Sequence, residues 1–310
     1  MRAVAIQHRD EAPTVLELPD PTPGDGEVRV AVEAGSINGF DVAVAAGYVW
    51  DALPHEFPVV LGRDYAGTVG SLGSGVDGFT VGDRVAGVIP GVGLGPVGTL
   101  AELFTQSATL LARVPSAVSA VEAAAVGLAG VTALDLLDDL DVQADDVVLV
   151  SGATGGVGAF AVQLAVARGA RVIATARPGE PADFAQRLGA AEVVDFTDDL
   201  EAAVRAVAPD GVTKIVHTAG DAGALSGLLK PGGHLSSALG ADPTQAKRDD
   251  VTISSIITES TSEKLTSLLE AAASGQLTVP VSATYTLEQT AAALGDFGSG
   301  KLGKIVVTVR

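Results

Sequence analysis

The stretch VVLVSGATGGVG, residues 147–158, decides the fold of this chain. Val147 to Val150 are apolar and mostly β-branched, which predicts a buried strand, and a glycine-rich turn follows directly. Residues 159–168 have helical apolar spacing that ends at Gly169, and residues 171–175 predict a second apolar strand. A strand, a glycine turn, a helix and a strand within about thirty residues form the context that a dinucleotide-binding fingerprint requires.

The glycines of this turn have separate expected roles. Gly155 lets the backbone turn tightly and approach a pyrophosphate, and Gly158 lets the helix pack closely on the strand. The helix N-terminus then offers free N–H groups and the positive end of its dipole to the phosphates. Ala153 stands at the first glycine of the usual G-x-G-x-x-G, so a tight turn that only packs is the alternative. The predicted cofactor-binding residues of the turn are Ala153, Thr154, Gly155, Gly156, Val157 and Gly158.

The end of the second strand indicates which dinucleotide is bound. A site that prefers NAD usually has Asp or Glu there, to bind the ribose 2′-hydroxyl. Ala176 stands at that place and Arg177 follows. Arg177 can give a charge-assisted hydrogen bond to a 2′-phosphate and Thr175 can add a hydroxyl, so we expect NADPH. The alternative for Arg177 is a solvated loop cation. Backbone contacts to the ribose or nicotinamide are expected after later strands, from Gly220, Leu239 and Gly240.

Length, composition and charge restrict the class of protein. The chain has 310 residues, of which 47% are hydrophobic and 18% charged, which indicates a globular protein with room for two domains. We find no signal peptide and no uninterrupted apolar run of membrane-spanning length, so we expect a cytoplasmic protein. The net charge of −19 argues against nucleic acid and anionic membranes as partners. It indicates a solubilising surface, with adaptation to high salt as the alternative.

Metal binding and thiol chemistry are not expected. The sequence has no cysteine, which excludes disulfides, thiol catalysis and cysteine-based zinc sites. The four histidines are not spaced as paired metal ligands, and we expect each to be a surface or packed residue: His8, His55, His217 and His234.

The pattern of residues changes along the chain. Short β-like runs dominate the first part, where the alternating stretch 28–33 and the glycine-rich loop 90–98 suggest a small β-rich barrel. Ser119 and Glu122 form a capping box that opens a helix, and a second helix is expected over 131–140. Strands and helices then alternate, which predicts an α/β fold with a doubly wound parallel sheet.

We expect a β-rich domain over residues 1–118, completed by residues 280–310, and a dinucleotide-binding domain over residues 119–279. The last strand, 304–309, should return to the first domain. The apolar runs 235–239 and 251–257 are expected near the far edge of the parallel sheet, where pairing with a second copy would give a homodimer.

A series of landmarks in order carries a family resemblance. They are Gly35–Asn38 followed by Asp41, Leu61–Gly67, Val81–Val85, Gly98–Glu102, Gly130–Ala133, Val150–Gly158 and Gly303–Val307. The chain resembles the medium-chain dehydrogenase/reductase superfamily, and within it the zinc-free quinone oxidoreductase group, over essentially its whole length. The resemblance implies a GroES-like catalytic domain joined to a Rossmann domain.

The sequence departs from the zinc-dependent members of this superfamily. They place a cysteine near Asn38 and a His-Glu pair near Arg63 and Asp64, and they have a lobe with four cysteines. This chain has neither set, so the resemblance implies that both zinc sites are missing here. Without a Lewis acid, the protein lacks a means of stabilising the alkoxide from which an alcohol loses hydride. A conjugated acceptor is an easier substrate, because it spreads the added negative charge onto its oxygen, where hydrogen-bond donors suffice. The resemblance therefore implies an NADPH-dependent reductase of quinones or α,β-unsaturated carbonyls. An enoyl-thioester reductase and a non-catalytic NADPH-binding redox sensor are the alternatives.

Three residues are candidate catalytic groups. By resemblance, Asn38 lines the nicotinamide pocket and donates to the developing oxyanion, although it can also simply cap a helix. Thr132, at the expected start of a helix, is implied to lie near the cofactor. Tyr48 is a candidate donor or stacking residue, with a packed aromatic side chain as the alternative. The tyrosine that many quinone reductases have two residues after the position of Asp41 is Ala43 here.

Overall fold

The protein was analysed as a computed structural model, which describes residues 1–91 and 93–309. Its packing divides it into two compact units, Met1–Val131 with Glu259–Arg310, and Thr132–Thr258. The domain boundaries predicted at residues 118 and 279 stay predictions, because a division by packing does not test which segments fold independently. Val92, inside the predicted loop 90–98, lies outside the described residues.

The described residues form sixteen strands and eight α-helices. The strands are β1 (Arg2–Ile6), β2 (Thr14–Glu17), β3 (Glu27–Ile37), β4 (Val59–Val60), β5 (Asp64–Leu72), β6 (Arg84–Val88), β7 (Leu103–Ser107), β8 (Ala112–Arg113), β9 (Val147–Ser151), β10 (Arg171–Thr175), β11 (Glu192–Val194), β12 (Val212–His217), β13 (Leu229–Ser237), β14 (Thr252–Ser255), β15 (Val281–Thr286) and β16 (Lys304–Thr308). The helices are α1 (Gly39–Ala45), α2 (Ala120–Asp139), α3 (Gly156–Ala167), α4 (Glu180–Arg187), α5 (Leu200–Val207), α6 (Ala222–Ser226), α7 (Ser262–Ala273) and α8 (Thr290–Asp296).

The first unit is rich in antiparallel strands. A seven-stranded sheet has the order β15-β16-β3-β5-β6-β8, with β7 also paired to β3, and a three-stranded sheet has the order β2-β1-β4. Strand β3 buries every second side chain from Val28 to Ala34, as its alternating pattern predicts. The last strand, β16, pairs antiparallel with β3, so the predicted return of the chain terminus to this unit is confirmed.

The second unit contains a six-stranded sheet in which all neighbouring strands are parallel, in the order β11-β10-β9-β12-β13-β14. This order reverses beside the first strand, β9, which is the arrangement of a doubly wound sheet. The α/β prediction is therefore confirmed, and β14 forms one edge of the sheet. Helix α3 begins at Gly156 rather than at residue 159, because its first turn lies within the glycine run and Gly155 is its N-cap.

Helix α2 differs from the two helices that the sequence predicts. Its first turn has the expected capping box, in which the backbone N–H of Ser119 donates to Glu122 and that of Glu122 donates to the Ser119 hydroxyl. The helix then continues to Asp139, and its break falls at Gly127, where φ is −32° and ψ is −105°. The Asp64 carboxylate packs against this point and accepts the N–H of Leu128 at 3.1 Å, so it interrupts the helical hydrogen bonds.

Helix α2 also corrects the expectation about apolar runs. By length and composition alone, this helix could cross a membrane. In the structure, 67% of its most apolar stretch of 18 residues is buried inside the protein. The Gly, Asp and Thr residues of this segment do not reduce its mean hydropathy enough to exclude a membrane span. Burial of this kind is typical of a core helix, whose length and apolar composition can match those of a membrane-spanning helix.

The kink gives a stability prediction. A Cβ atom on Gly127 would lie 2.5 Å from the Cβ of Asp64, so Gly127→Ala must displace the carboxylate or the helix. We expect it to lower the free energy of unfolding by about 1–3 kcal/mol, the cost of overpacking. The measurement is urea unfolding of the wild type and the variant.

Gly295→Ala is the matched control, because Gly295 lies in α8 with nothing within 4 Å of the added Cβ. This variant should be neutral or slightly stabilising. Equal stability of the Gly127→Ala variant and the wild type would contradict the proposed origin of the kink.

Candidate functional site

The glycine turn lies at the carboxyl end of β9. Gly152, with φ of +81°, begins the turn. A Cβ on Gly158 would lie 2.1 Å from the carbonyl oxygen of Gly152, so the first turn of α3 packs directly on the backbone of the turn. A Cβ on Gly155 would meet only that same oxygen, at 3.4 Å. Gly155 therefore borders open space, whereas Gly158 permits close packing.

The N-terminus of α3 has the donors that a pyrophosphate requires. The helix has 12 residues, and no side chain caps it at Gly155. Its first backbone N–H groups are directed out of the helix, at the positive end of the helix dipole. Because glycine leaves the approach to these groups open, the turn fits a dinucleotide pyrophosphate. The side chain of Ala153 is buried, so this residue can contribute only through its backbone.

The structure revises the role expected for Thr175. Its side chain is buried, and its Oγ1 accepts the backbone N–H of Gly152 at 3.0 Å. The same hydroxyl faces the carbonyl oxygen of Val150 at 3.4 Å. The expected bond from this hydroxyl to a 2′-phosphate is corrected, because the hydroxyl is used to fix the start of the glycine turn.

Ala176 and Arg177 follow β10. Ala176 is buried, and its N–H donates to the carbonyl oxygen of Val194. Arg177 is exposed, and its guanidinium carbon lies 5.9 Å from the centroid of the Phe196 ring. Arg177 forms no ion pair with any described residue. The nearby carboxylate of Asp195 is held by the backbone and hydroxyl of Thr197, which lower its pKa, and Arg177 lowers that pKa further.

The remaining predicted cofactor residues follow β12 and β13. Gly220 has φ of +90° and Gly240 has φ of +74°. Leu239 is 60% exposed, which is unusual for a leucine. Because the carboxyl ends of parallel strands meet at one edge of a sheet, these residues lie at the same edge as the glycine turn and Arg177. The structure thus brings the predicted cofactor-binding residues of the second unit to one edge.

Thr132 lies inside α2, after the kink, and not at the start of a helix as expected. Its hydroxyl is paired with the hydroxyl of Thr258 at 2.7 Å, and Thr132 is buried. The position of the kink explains the difference, because the second half of the helix begins at Leu128.

Asn38 is the N-cap of α1, and its carboxamide is fully engaged by the first unit. The Nδ2 group donates to Asp64 Oδ2 at 3.1 Å and to the carbonyl oxygen of Ser36 at 3.2 Å. The Oδ1 atom accepts from Lys304 Nζ at 2.6 Å. The expectation that Asn38 donates to an acceptor oxygen is therefore corrected, since both of its N–H bonds already have partners.

Asn38 belongs to a buried charge cluster formed with Asp41, Arg63, Asp64 and Lys304. Asp41 accepts the N–H groups of Asn38 and Gly62, each at 2.9 Å. Lys304 donates to Asn38 and to the carbonyl oxygen of Ile37. The two carboxylates, of Asp41 and Asp64, are balanced by the two cations, Arg63 and Lys304. Uncharged backbone and side-chain groups donate to these carboxylates and accept from these cations. Burial lowers the pKa of Lys304 and of Arg63, and the nearby carboxylates oppose that change.

Arg63 holds a loop. Its guanidinium donates to the carbonyl oxygens of Ile89 and Gly93, each at 3.3 Å, and also to that of Gly91. It lies 5.1 Å from the centroid of the Phe40 ring. Arg63 and Phe40 border a small pocket of the first unit, which Asp41 also lines together with apolar residues that include Val44, Leu61, Leu94 and Val97.

Tyr48 is 82% exposed, so the alternative of a packed aromatic side chain is wrong. Its side chain has no hydrogen bond or ring contact within residues 1–91 and 93–309. The catalytic role of Tyr48 stays a prediction.

The sequence analysis missed Arg63, Asp64 and Lys304 as members of a site. Arg63 and Asp64 entered it only as residues that are not zinc ligands. A lone lysine at the head of the apolar strand KIVVTV, residues 304–309, was the available signal for a buried cation. In the described part of the chain, no group of three His, Cys, Asp or Glu side chains is arranged to hold a metal ion.

Comparison with known proteins shows the family. Residues 24–116 match the alcohol dehydrogenase GroES-like domain, and residues 156–264 match the family described as zinc-binding dehydrogenase. A solved NAD-dependent alcohol dehydrogenase is 30% identical, with a TM-score of 0.88 and full coverage of both chains. A quinone oxidoreductase from Coxiella burnetii is 25% identical, with a TM-score of 0.87, and covers 100% of this chain and 99% of its own.

Curated relatives extend these matches. A chloroplast envelope quinone oxidoreductase homolog from Arabidopsis thaliana is 37% identical over 212 residues, which are 66% of this chain and 63% of the relative. A mycocerosic acid synthase-like polyketide synthase from Mycolicibacterium smegmatis is 32% identical over 93% of this chain, which matches 14% of the synthase. The chain thus spans less than two thirds of the length of these relatives. It belongs to the medium-chain dehydrogenase/reductase superfamily, in its quinone oxidoreductase group, with a GroES-like domain and a Rossmann sheet.

The buried charge cluster gives a prediction about pH. Burial raises the pKa of Asp41 from 3.8 to about 6, against the opposing effect of its backbone hydrogen bonds. The folded state therefore holds this proton more tightly than the unfolded chain does. Stability is then lost as the pH rises through the interval from 3.8 to about 6, by about 3 kcal/mol for a shift of this size.

The test compares the free energy of unfolding of the wild type and of Asp41→Asn between about pH 4 and pH 7. The asparagine does not titrate, so the wild type should lose stability relative to the variant as the pH rises. Asp210→Asn, at an exposed position, is the control and should change nothing across this range. A pH-independent difference between wild type and Asp41→Asn would show that Asp41 titrates normally.

Proposed function

We propose that this protein is an NADPH-dependent reductase that transfers hydride to a quinone or an α,β-unsaturated carbonyl compound without a metal. The observation that carries the proposal is the edge of the second unit's sheet. A helix N-terminus without a side-chain cap, a glycine turn and Arg177, which has no ion pair within residues 1–91 and 93–309, meet there, and Ala176 supplies no carboxylate. This combination suits a dinucleotide with an extra phosphate.

Each part of the edge has a role in binding NADPH. The first N–H groups of α3 hold the pyrophosphate, and Gly155 leaves room for it. Arg177 pairs with the 2′-phosphate, and the Phe196 ring keeps its guanidinium near the end of β10. Gly220, Leu239 and Gly240 line the approach of the ribose and nicotinamide. The bound nicotinamide supplies the hydride, and the protein orients it and excludes water.

The choice of NADPH over NADH depends on Arg177. Solved relatives include an NAD-dependent alcohol dehydrogenase and a mycobacterial protein in complex with NADPH, which is 28% identical with a TM-score of 0.86 and full coverage of both chains. Because the family accommodates both cofactors, residues at the end of β10 decide. Arg177 is exposed and has no competing ion pair in the described chain, so it is available to a phosphate.

A conjugated acceptor is the substrate class that suits this chain. The chain has no cysteine to hold zinc, and reduction of an enone or quinone needs only hydrogen-bond donors for the developing negative charge. Two plant relatives are named as quinone oxidoreductases, which supports a conjugated acceptor as the substrate. We propose that Thr132, held by its hydroxyl pair with Thr258, contacts the nicotinamide side of the site.

An enoyl-thioester reductase is the second candidate. The observation that favours it is the match of 93% of this chain to a segment of a polyketide synthase. An enoyl thioester is itself a conjugated carbonyl, so hydride addition would be the same reaction. Turnover of short enoyl-CoAs with greater kcat/KM than quinones would select this candidate.

Assembly and location stay predictions. Strand β14 is an edge of the parallel sheet, and Ile257, just beyond it, is 76% exposed, which suits pairing of two copies. The expected cytoplasmic location has no support from the plant relatives, whose names place those proteins in the chloroplast.

Arg177→Ala should weaken NADPH binding and leave NADH binding nearly unchanged. A hydrogen bond to a charged group contributes about 1.5–3 kcal/mol, which corresponds to about a 10- to 150-fold rise in the Kd for NADPH. Arg187→Ala is the matched control, because Arg187 is an exposed arginine whose partner is Glu180. Calorimetric titration with both cofactors gives the measurement. Equal affinity of the wild type for NADH and NADPH would contradict the preference.

Hydride transfer should be direct and independent of metal. With NADPH deuterated at the transferred position, we expect the deuterium on the β-carbon of a reduced enone, detected by mass spectrometry and NMR. Turnover should persist after dialysis against a chelator, since the described residues have no grouped metal ligands. Reduced enone that contains no deuterium, or activity that requires added zinc, would refute this mechanism.

A further inference from the structure

A hydrogen-bonded network joins two loops at the carboxyl edge of the second unit's sheet. His217 ends β12 and lies in register with Ser237, which ends β13. Both side chains are buried. His217 Nδ1 is 2.9 Å from Ser237 Oγ, and His217 Nε2 is 3.1 Å from the carbonyl oxygen of Gly220. The sequence analysis treated His217 as a surface or packed residue.

The network fixes the protons of the ring. The carbonyl oxygen of Gly220 can only accept, so Nε2 must carry a proton. Ser237 Oγ accepts the backbone N–H of Leu239 at 3.0 Å and faces that of Ala241 at 3.4 Å. The hydroxyl proton of Ser237 is then directed to Nδ1, which accepts it. Each ring nitrogen thus has a partner, the Gly220 carbonyl oxygen for Nε2 and the Ser237 hydroxyl for Nδ1.

We propose that His217 is a positioning residue for the nicotinamide half of the cofactor. It contacts the carbonyl oxygen of Gly220 directly, and it acts on the second loop through Ser237, whose hydroxyl faces the N–H groups of Leu239 and Ala241 on either side of Gly240. The proposal rests on the proposed function, because it assigns these loops to cofactor binding.

Two features of the loops support a binding role beyond packing. Leu239 is 60% exposed, although its backbone is held in place by the buried Ser237 hydroxyl. Gly220 has φ of +90°, a conformation that its carbonyl bond to His217 stabilises. A buried network that serves only the core has no need to hold an exposed leucine. The same network therefore orders a surface at the edge where dinucleotides bind in sheets of this kind.

The test uses cofactor affinity in three variants of the whole chain. Ser237→Ala removes the acceptor for Leu239, and His217→Phe removes both ring contacts at similar volume. Each should raise the Kd for NADPH about three- to tenfold, the loss of about one neutral hydrogen bond. The acceptor KM at saturating NADPH should stay unchanged. His217→Gln should recover part of the affinity, since its amide can still donate to Gly220.

The double variant separates positioning from loss of stability. If His217 acts through Ser237, the combination of His217→Phe and Ser237→Ala should bind NADPH no more weakly than the weaker single variant. His234→Gln is the matched control. His234 is also on β13 and pairs with Ser254, but it lies three residues before Ser237, about 10 Å from the carboxyl edge. Its variant should keep the wild-type Kd.

The outcomes distinguish the two proposals. Suppose that the wild type binds NADPH and that the folded Ser237→Ala and His217→Phe variants have Kd values within twofold of the wild-type value. His217 is then a core residue, and the positioning role is refuted. If His217→Phe does not fold, Ser237→Ala decides alone. If the wild type binds neither NADPH nor NADH, the proposed function fails, and the role of His217 fails with it.

Discussion

The carboxylate of Asp64 is the group on which the candidate site of the first unit depends. It is completely buried, and five contacts from three residues satisfy it. Ser36 donates through its backbone and hydroxyl, Asn38 through its amide and Leu128 through its backbone. A buried charge without partners would cost several kcal/mol, so each partner must keep its place. One charge thereby fixes the end of a strand, an N-cap and the interruption of a helix.

The same constraint explains why Asn38 is a poor donor to substrate. Its amide lies between the Asp64 carboxylate and the Lys304 ammonium, which orients the nitrogen towards the anion and the oxygen towards the cation. If the amide were rotated by half a turn, its N–H groups would face the ammonium of Lys304 and its oxygen would face the carboxylate of Asp64. Of the three candidate catalytic residues, this leaves Thr132, whose hydroxyl is paired with that of Thr258, and the exposed Tyr48.

The sequence predicted what is local. The glycine turn, β10 and the capping box of α2 depend on neighbouring residues, and the structure has all three. The contact between Lys304 and Asn38 joins residues separated by 266 positions, and no periodic pattern reports such a contact. The break at Gly127 was missed for the same reason, because it is caused by Asp64 from a distant strand. Thr175 shows another limit of the sequence. Its place at the end of β10 was predicted correctly, but the sequence does not tell whether its hydroxyl faces the cofactor or supports the glycine turn.

The two units solve the problem of polar groups in different ways. The first unit buries whole charges and satisfies them with dipoles, which commits those side chains to structure. The fully buried polar side chains of the second unit include no Asp, Glu, Lys or Arg. His217, Ser237 and Thr175 are hydrogen-bonded to the backbone or to a neighbouring side chain, whereas Ser236 Oγ has no partner among the described residues. Hydrogen bonds of this kind can hold loops in place without a buried carboxylate beside a bound phosphate. In the proposed function, Arg177, exposed and without an ion pair among the described residues, is the cation that this edge presents to the 2′-phosphate. A protein with a net charge of −19 would otherwise repel a dinucleotide phosphate, so a local arginine matters more here than it would on a neutral surface.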